Sequence, residues 1–132
     1  HLLVWDAVRP VSAQQKLWDS INKPDSLKHL YVAPPSSRSM HNYGCAVDVT
    51  LINAQDSLLD RGKDFDNFGI KAYPRKESYC LQQGILSQEQ VSNRRLLRRV
   101  MEHAGFSPIT TEWWHFSLYS RQYAQTHYQP VP

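Results

Sequence analysis

The stretch "SMHNYGCAVDVTL", residues 39–51, decides how the chain folds. From Cys45 the residues alternate. Cys45, Val47, Val49 and Leu51 face one way, and Ala46, Asp48, Thr50 and Ile52 the other, which is the two-residue period of a buried strand. Asp48 lies inside that run. A carboxylate among apolar neighbours is costly unless it is paired, hydrogen-bonded or bound to a metal. His41 precedes it by seven positions, an odd spacing that would put the two on opposite faces of a continuous strand. Gly44 removes the conflict. A turn at Tyr43-Gly44 swings His41 back beside the strand, so that both side chains enter one cleft. Cys45, on the face away from Asp48, reads as packed core rather than as a nucleophile.

Upstream, "HLLVWDAVRP" (1–10) reads as a strand running into a turn at Arg9-Pro10. "SAQQKLWDSIN" (12–22) reads as a short helix. Ser12 is its expected N-cap, Gln15 closes a capping box, Leu17, Trp18 and Ile21 form its apolar stripe, and Pro24 ends it. Residues 31–40 are a loop rich in Pro and Ser. Residues 53–85 read as a long irregular connection, of a kind that often carries function. "SQEQVSNRRLLRRVMEHAG" (87–105) is the strongest helix. Ser87 caps it, Gln90 closes the box, Leu86 staples to Val91, and Gly105 stops it. Its expected buried stripe is Leu96, Leu97, Val100, Met101 and Ala104. Arg94, Arg95, Arg98 and Arg99 fall mostly off that stripe and read as a solvated face rather than a nucleic-acid surface. "TTEWWHFSLYS" (110–120) favours a strand and closes the ordered part of the chain.

The chain has 132 residues, enough for one domain with a modest core. Hydrophobic residues make up 41% and charged residues 20%, the balance of an ordinary globular protein. A net charge of +3 is too small to argue for an acidic partner. No apolar run approaches the length of a membrane span, and no stretch reads as a signal peptide. The chain opens already strand-like and without Met, which predicts that further residues precede it in the full gene product. Cys45 and Cys80 allow one bridge at most and read as two free thiols. No repeat or domain boundary is visible. Strands and helices mix without a regular β-α-β rhythm, so the class is α+β.

"EWWH" (112–115) supplies a second imidazole and a second carboxylate. Two His, one Asp and a nearby Glu are the parts of a catalytic zinc site, in which three protein ligands leave one position to water and a carboxylate outside the shell acts as base. No HExxH occurs, which excludes the common helical zinc-protease arrangement. Plainer readings stand beside this one: a structural histidine at a strand edge, a turn-stabilising Asp48, a solvated loop carboxylate at Glu112.

Two motifs carry a resemblance. Ser39, His41, Gly44, Ala46 and Asp48 match S-x-H-x-x-G-x-A-x-D, and Glu112, Trp114 and His115 match E-x-W-H. Together, in this order, they resemble the zinc D-alanyl-D-alanine dipeptidases of the vancomycin-resistance type, within a larger family that includes D,D- and L,D-carboxypeptidases. "WDAVRP" (5–10) is similar to the dipeptidase branch's D-x-x-R-P segment. "DRGKDFDNF" (60–68) is similar to its M-G-x-x-F-D segment, with Arg61 where Met is usual, and "NRRLL" (93–97) resembles the start of its long helix.

The resemblance implies a single metallopeptidase domain over 1–132, without some N-terminal residues of the family. A small, mostly antiparallel sheet would carry the zinc site and pack against helices. It implies that His41, Asp48 and His115 bind one zinc ion and that water activated there attacks the peptide bond. Glu112 would move the proton to the leaving amine, and Arg9 would stabilise the oxyanion. Asp66, assisted by Ser39, would hold the free ammonium of a small dipeptide such as D-Ala-D-Ala. The alternative is a carboxypeptidase acting on peptidoglycan stem peptides. The implied setting is bacterial, and the chemistry suits the periplasm or cell envelope and the cytoplasm alike. Neither a nucleic acid nor a membrane is an expected partner.

Overall fold

Leu2–Asp6 (β1) and Ala46–Leu51 (β2) pair antiparallel at one edge of a four-stranded sheet. His115–Ser117 (β4) pairs with the other side of β2, and Ser107–Pro108 (β3) completes the order β1-β2-β4-β3. The computed structural model describes residues 1–65 and 68–132. The helices are Val11–Ser20 (α1), Asp25–Lys28 (α2), Glu77–Gln82 (α3), Gln88–His103 (α4) and Arg121–His127 (α5). A single domain of helices on a small antiparallel sheet is the expected α+β class.

The sheet register does the work that matters for the site. Asp48 lies opposite His115 on β4 and opposite Asp6 on β1. Directly opposed residues share a face of the sheet, so these three form one row across it. A register irregularity between Val4 and Asp6 brings Asp6 into that row. The other face carries Val49 and Leu51 into the main core, with Leu97 and Met101 of α4 and with Trp113, Trp114 and Phe116. Cys45 departs from simple alternation. It packs with Met40, Ala46 and Ala124 in a separate cluster, because the chain is already turning at Gly44. Cys45 and Cys80 are free thiols buried in different clusters.

Several local expectations change. Helix α1 starts at Val11, with Pro10 at the N-cap and no side-chain cap, so Ser12 lies inside the first turn. The orphan amide of Val11 is satisfied from a distance, by the carbonyl of Val131 at 2.8 Å. In contrast, Ser87 and Gln90 form the expected capping box of α4, and Leu86 packs with Val91. The buried face of α4 is Val91, Arg94, Leu97 and Met101. Leu96, Val100 and Ala104, expected inside, are exposed, and Arg94 is 1% exposed. The stripe is rotated toward Arg94 because Arg61 and Lys71 offer main-chain carbonyls there. The connection 53–85 contains α3, the 110–120 strand shrinks to three residues, and α5 follows it. Among the described residues no helix is long and apolar enough to cross a membrane.

Candidate metal centre and catalytic cleft

Ser39 and Gly44 bracket a single 3-10 turn, Met40–Tyr43, that carries His41. Ser39 accepts from the amide of His41, and Asn42 accepts from the amide of Ser39, which closes a capping box. Gly44 ends the turn at φ 64°, a left-handed conformation that glycine adopts without penalty. His41 is thereby folded back over β2, as the sequence spacing requires.

Three donor atoms converge. His41 Nε2 lies 3.2 Å from His115 Nδ1 and 3.4 Å from Asp48 Oδ1, and His115 Nδ1 lies 3.0 Å from Asp48 Oδ1. All three residues are buried. Bonds of about 2.1 Å at tetrahedral angles separate neighbouring donors by roughly 3.4 Å. The triangle therefore fits a small divalent cation, and the donors, two imidazole nitrogens and one carboxylate oxygen, suit it. The tautomers agree. His41 Nδ1 donates to the carbonyl of Ala7 at 2.8 Å, which leaves the Nε2 lone pair for the cluster. His115 Nε2 lies 3.2 Å from Ser117 Oγ, so its proton has a partner there and Nδ1 faces inward.

Charge reinforces the arrangement. Burial raises the Asp48 pKa, but the hydrogen bonds and charge that the two imidazoles give it while they carry a proton on these inward nitrogens outweigh burial and hold the carboxyl at about 2, and a bound metal would take the place of those protons. Burial pulls the His41 pKa down, and the hydrogen bond and charge of Asp48 reverse this and raise it.

The cluster opens onto a cavity of about 600 Å³. Glu112 and Arg9 line it, as does Ser39. Glu112 Oε2 lies 3.8 Å from His115 Nδ1. Trp5, Phe65, Phe68 and Trp114 form an aromatic wall. Arg9 is held by Asp6, to whose Oδ2 both Nε and Nη2 donate, and by Gln14 Oε1 at 2.9 Å. Six of the seven expected site residues (His41, Asp48, His115, Glu112, Arg9 and Ser39) thus share one cleft, while Asp66 lies outside the described residues.

Sequence reasoning assigned no role to the groups behind these residues: Ala7 and Ser117, which set the histidine tautomers, and Asp6, Gln14 and Asn42. Asp6 had a readable signal, an acid three residues before Arg9. The carbonyl of Ala7 had none, because a main-chain acceptor carries no residue type.

Comparison with known proteins accords with this geometry. Residues 1–131 match the peptidase M15 family described as D-ala-D-ala dipeptidase. The D-alanyl-D-alanine dipeptidase of Escherichia coli (strain K12) is 35% identical over 118 residues, 89% of this chain and 55% of that protein. The enzyme of that name from Enterococcus faecalis (strain V583) is 31% identical over 144 residues, 96% of this chain and 66% of that protein. That from Streptomyces coelicolor is 25% identical over 150 residues. The chain spans between 55% and 66% of the length of these bacterial relatives. With a converging His-Asp-His triangle and a family match over nearly every residue, the chain belongs to the D-Ala-D-Ala dipeptidase family of metallopeptidases.

Proposed function

We propose that the protein is a zinc-dependent dipeptidase that hydrolyses D,D-dipeptides such as D-Ala-D-Ala. The observation that supports this most strongly is the triangle of His41 Nε2, Asp48 Oδ1 and His115 Nδ1 on the wall of a cavity shared with Glu112 and Arg9. Zinc held by these three residues would supply a Lewis acid and a nucleophile from water at neutral pH.

The remaining steps belong to the chain's own groups. Glu112 takes a proton from the attacking water and returns it to the nitrogen of the leaving amino acid as the C–N bond breaks. Arg9 sets a fixed positive charge and planar N–H donors where the carbonyl oxygen gains negative charge. Asp66 binds the free ammonium of the substrate, assisted by Ser39. The aromatic wall excludes water, which strengthens each of these interactions.

Exopeptidase selectivity follows from Asp66. A blocked N-terminus would leave its carboxylate without an ammonium partner. The test uses the full-length protein on free and N-acetylated D-Ala-D-Ala, with D,D, L,D and L,L dipeptides in parallel. Hydrolysis of the free D,D-dipeptide, abolished by chelation and restored by zinc, is the expected result. Equal or faster cleavage of the acetylated substrate would move the reading to a carboxypeptidase acting on stem peptides.

A further inference from the structure

Gln14 is a polar side chain with 0% exposure on a helix whose other faces are half-buried or exposed. It is not part of the cavity lining. Its amide spans two fixed partners. Oε1 accepts from Arg9 Nη1 at 2.9 Å, and Nε2 donates to the carbonyl of Ala33 at 2.7 Å. The orientation has no alternative, because a guanidinium only donates and a carbonyl only accepts. Neither Leu nor Met can replace that pair of roles.

Arg9 is restrained on every other side. Its amide donates to the carbonyl of His41 at 3.0 Å, and its own carbonyl accepts from Asn42 Nδ2 at 2.7 Å, so its main chain is tied to the turn that carries His41. Asp6 takes Nε and Nη2 from one side of the guanidinium. Asp6 alone leaves the plane free to pivot about that single oxygen. Gln14 supplies a second anchor, at the far nitrogen, and with Nε, Nη2 and Nη1 all held the plane is fixed. Of the five N–H donors of a guanidinium, three are then engaged, and two stay available to the cavity that Arg9 lines.

We propose that Gln14 is a positioning residue for the reaction: it locks the guanidinium plane of Arg9 so that its two remaining donors point at the oxyanion site. The inference rests on the oxyanion role of Arg9 proposed above. Such a lock acts on turnover, because the interaction it aims is strongest in the transition state.

The experiment compares full-length, zinc-loaded wild type with Q14M, Q14E, R9K and the double variant Q14M/R9K, measuring kcat, KM and thermal midpoint for each. Q14M keeps the volume and removes both hydrogen bonds. Q14E keeps the acceptor for Arg9 and loses the donor to Ala33. Q14M should lower kcat about 10- to 100-fold with KM little changed. Q14E should retain most of kcat while sharing the fall in thermal midpoint. In the R9K background, Q14M should cause no further loss of kcat. Equal kcat losses in Q14M and Q14E would make Gln14 a structural tie to Ala33 and overturn the proposal. So would an unchanged kcat in Q14M, or losses that multiply in the double variant. If R9K itself turns over like wild type, the oxyanion role of Arg9 falls first, and the positioning role with it. Should Q14M fail to fold, Q14L takes its place: kcat lost in Q14L and retained in Q14E supports the lock, and kcat retained in both overturns it.

Discussion

Two adjacent tryptophans separate two buried clusters of charge. Trp114 faces the cavity that holds His41, Asp48 and His115. Trp113 faces Arg61 and Arg94, whose guanidinium carbons sit 5.1 and 5.5 Å from its ring centre. On the Trp113 side the charges of Arg94, Arg98 and Glu77 answer one another. Arg94 donates through Nε and Nη2 to the carbonyl of Arg61 and through Nη1 to that of Lys71, and Glu77 lies 3.7 Å away. Glu77 in turn takes two hydrogen bonds from Arg98, at 2.9 and 2.5 Å. On the Trp114 side the ligand atoms of His41, Asp48 and His115 converge within 4.8 Å of one another on the cavity wall. Both clusters are expensive to bury. The first carries its cations and its anion on its own chain, although Arg61 Nε and the Trp113 indole nitrogen are buried there without a hydrogen-bond partner among the described residues, and it ties Arg61 and Lys71 to α4. The second is complete only with a cation. Burial of charge does not mark a functional site; an excess of lone pairs facing open space does.

The sharpest way to break this contrast is Asp48→Asn. Removing the anionic donor should release the metal and lower turnover by about 10³-fold or more, the several kcal/mol that metal-assisted chemistry supplies. Metal content per chain and kcat are the measurements. Chelation of the wild type should also lower its thermal midpoint, by about 2.7 kcal/mol of linked binding where free metal stood at about 100 times its dissociation constant. The same treatment should leave the Asp48→Asn midpoint in place. One metal per chain and turnover within tenfold of wild type in that variant would end the distinction between the clusters.

Glu112→Gln asks whether the carboxylate outside the triangle belongs to the chemistry or to metal retention. Turnover should fall by about 10²- to 10⁴-fold with metal content unchanged. Loss of the metal would make Glu112 a fourth ligand, and the centre a closed structural site.

The Trp114 side was legible in the sequence and the Trp113 side was not, for a physical reason. A strand has a period of two, and a glycine beside a histidine announces a turn, so His41, Gly44 and Asp48 could be placed from spacing alone. The register that sets Asp48 opposite His115 then made the row. Arg94 sits in a run of four arginines that look alike. Which of them turns inward depends on where the carbonyls of Arg61 and Lys71 lie, and main-chain acceptors leave no trace in residue types. Arg61 repeats the lesson. It is 4% exposed and packs over Trp5 and Trp113, a long flat side chain in a slot read as suited to methionine. The caps divide in the same way. Ser87 caps α4 through a local hydrogen bond to Gln90, whereas the first amide of α1 is met by Val131 from the far end of the chain.

The smallest effects test the Trp113 side from within, through Arg94→Met and Arg98→Met. Burial draws the Arg94 guanidinium down to about 10 against the opposing charge of Glu77, so this cation is strongly desolvated yet still charged at neutral pH. Methionine fills the slot over Trp113 but donates nothing. It leaves the carbonyls of Arg61 and Lys71 unmet in a buried place, which should cost about 3 kcal/mol. Arg98 holds the same Glu77, but its side chain is 18% exposed. Water can replace part of what it gives, and Arg98→Met should cost only about 1 kcal/mol. Denaturant midpoints at unchanged slope would report both losses. Neither variant should alter kcat or metal content of the folded protein, because neither touches the triangle. If Arg98→Met proved as costly as Arg94→Met, the ion pair with Glu77 would be what holds Arg61 and Lys71 against α4, not capture of their carbonyls. The Trp113 side would then also be a cluster balanced on one charge, differing from the metal centre only in carrying its cation on its own chain.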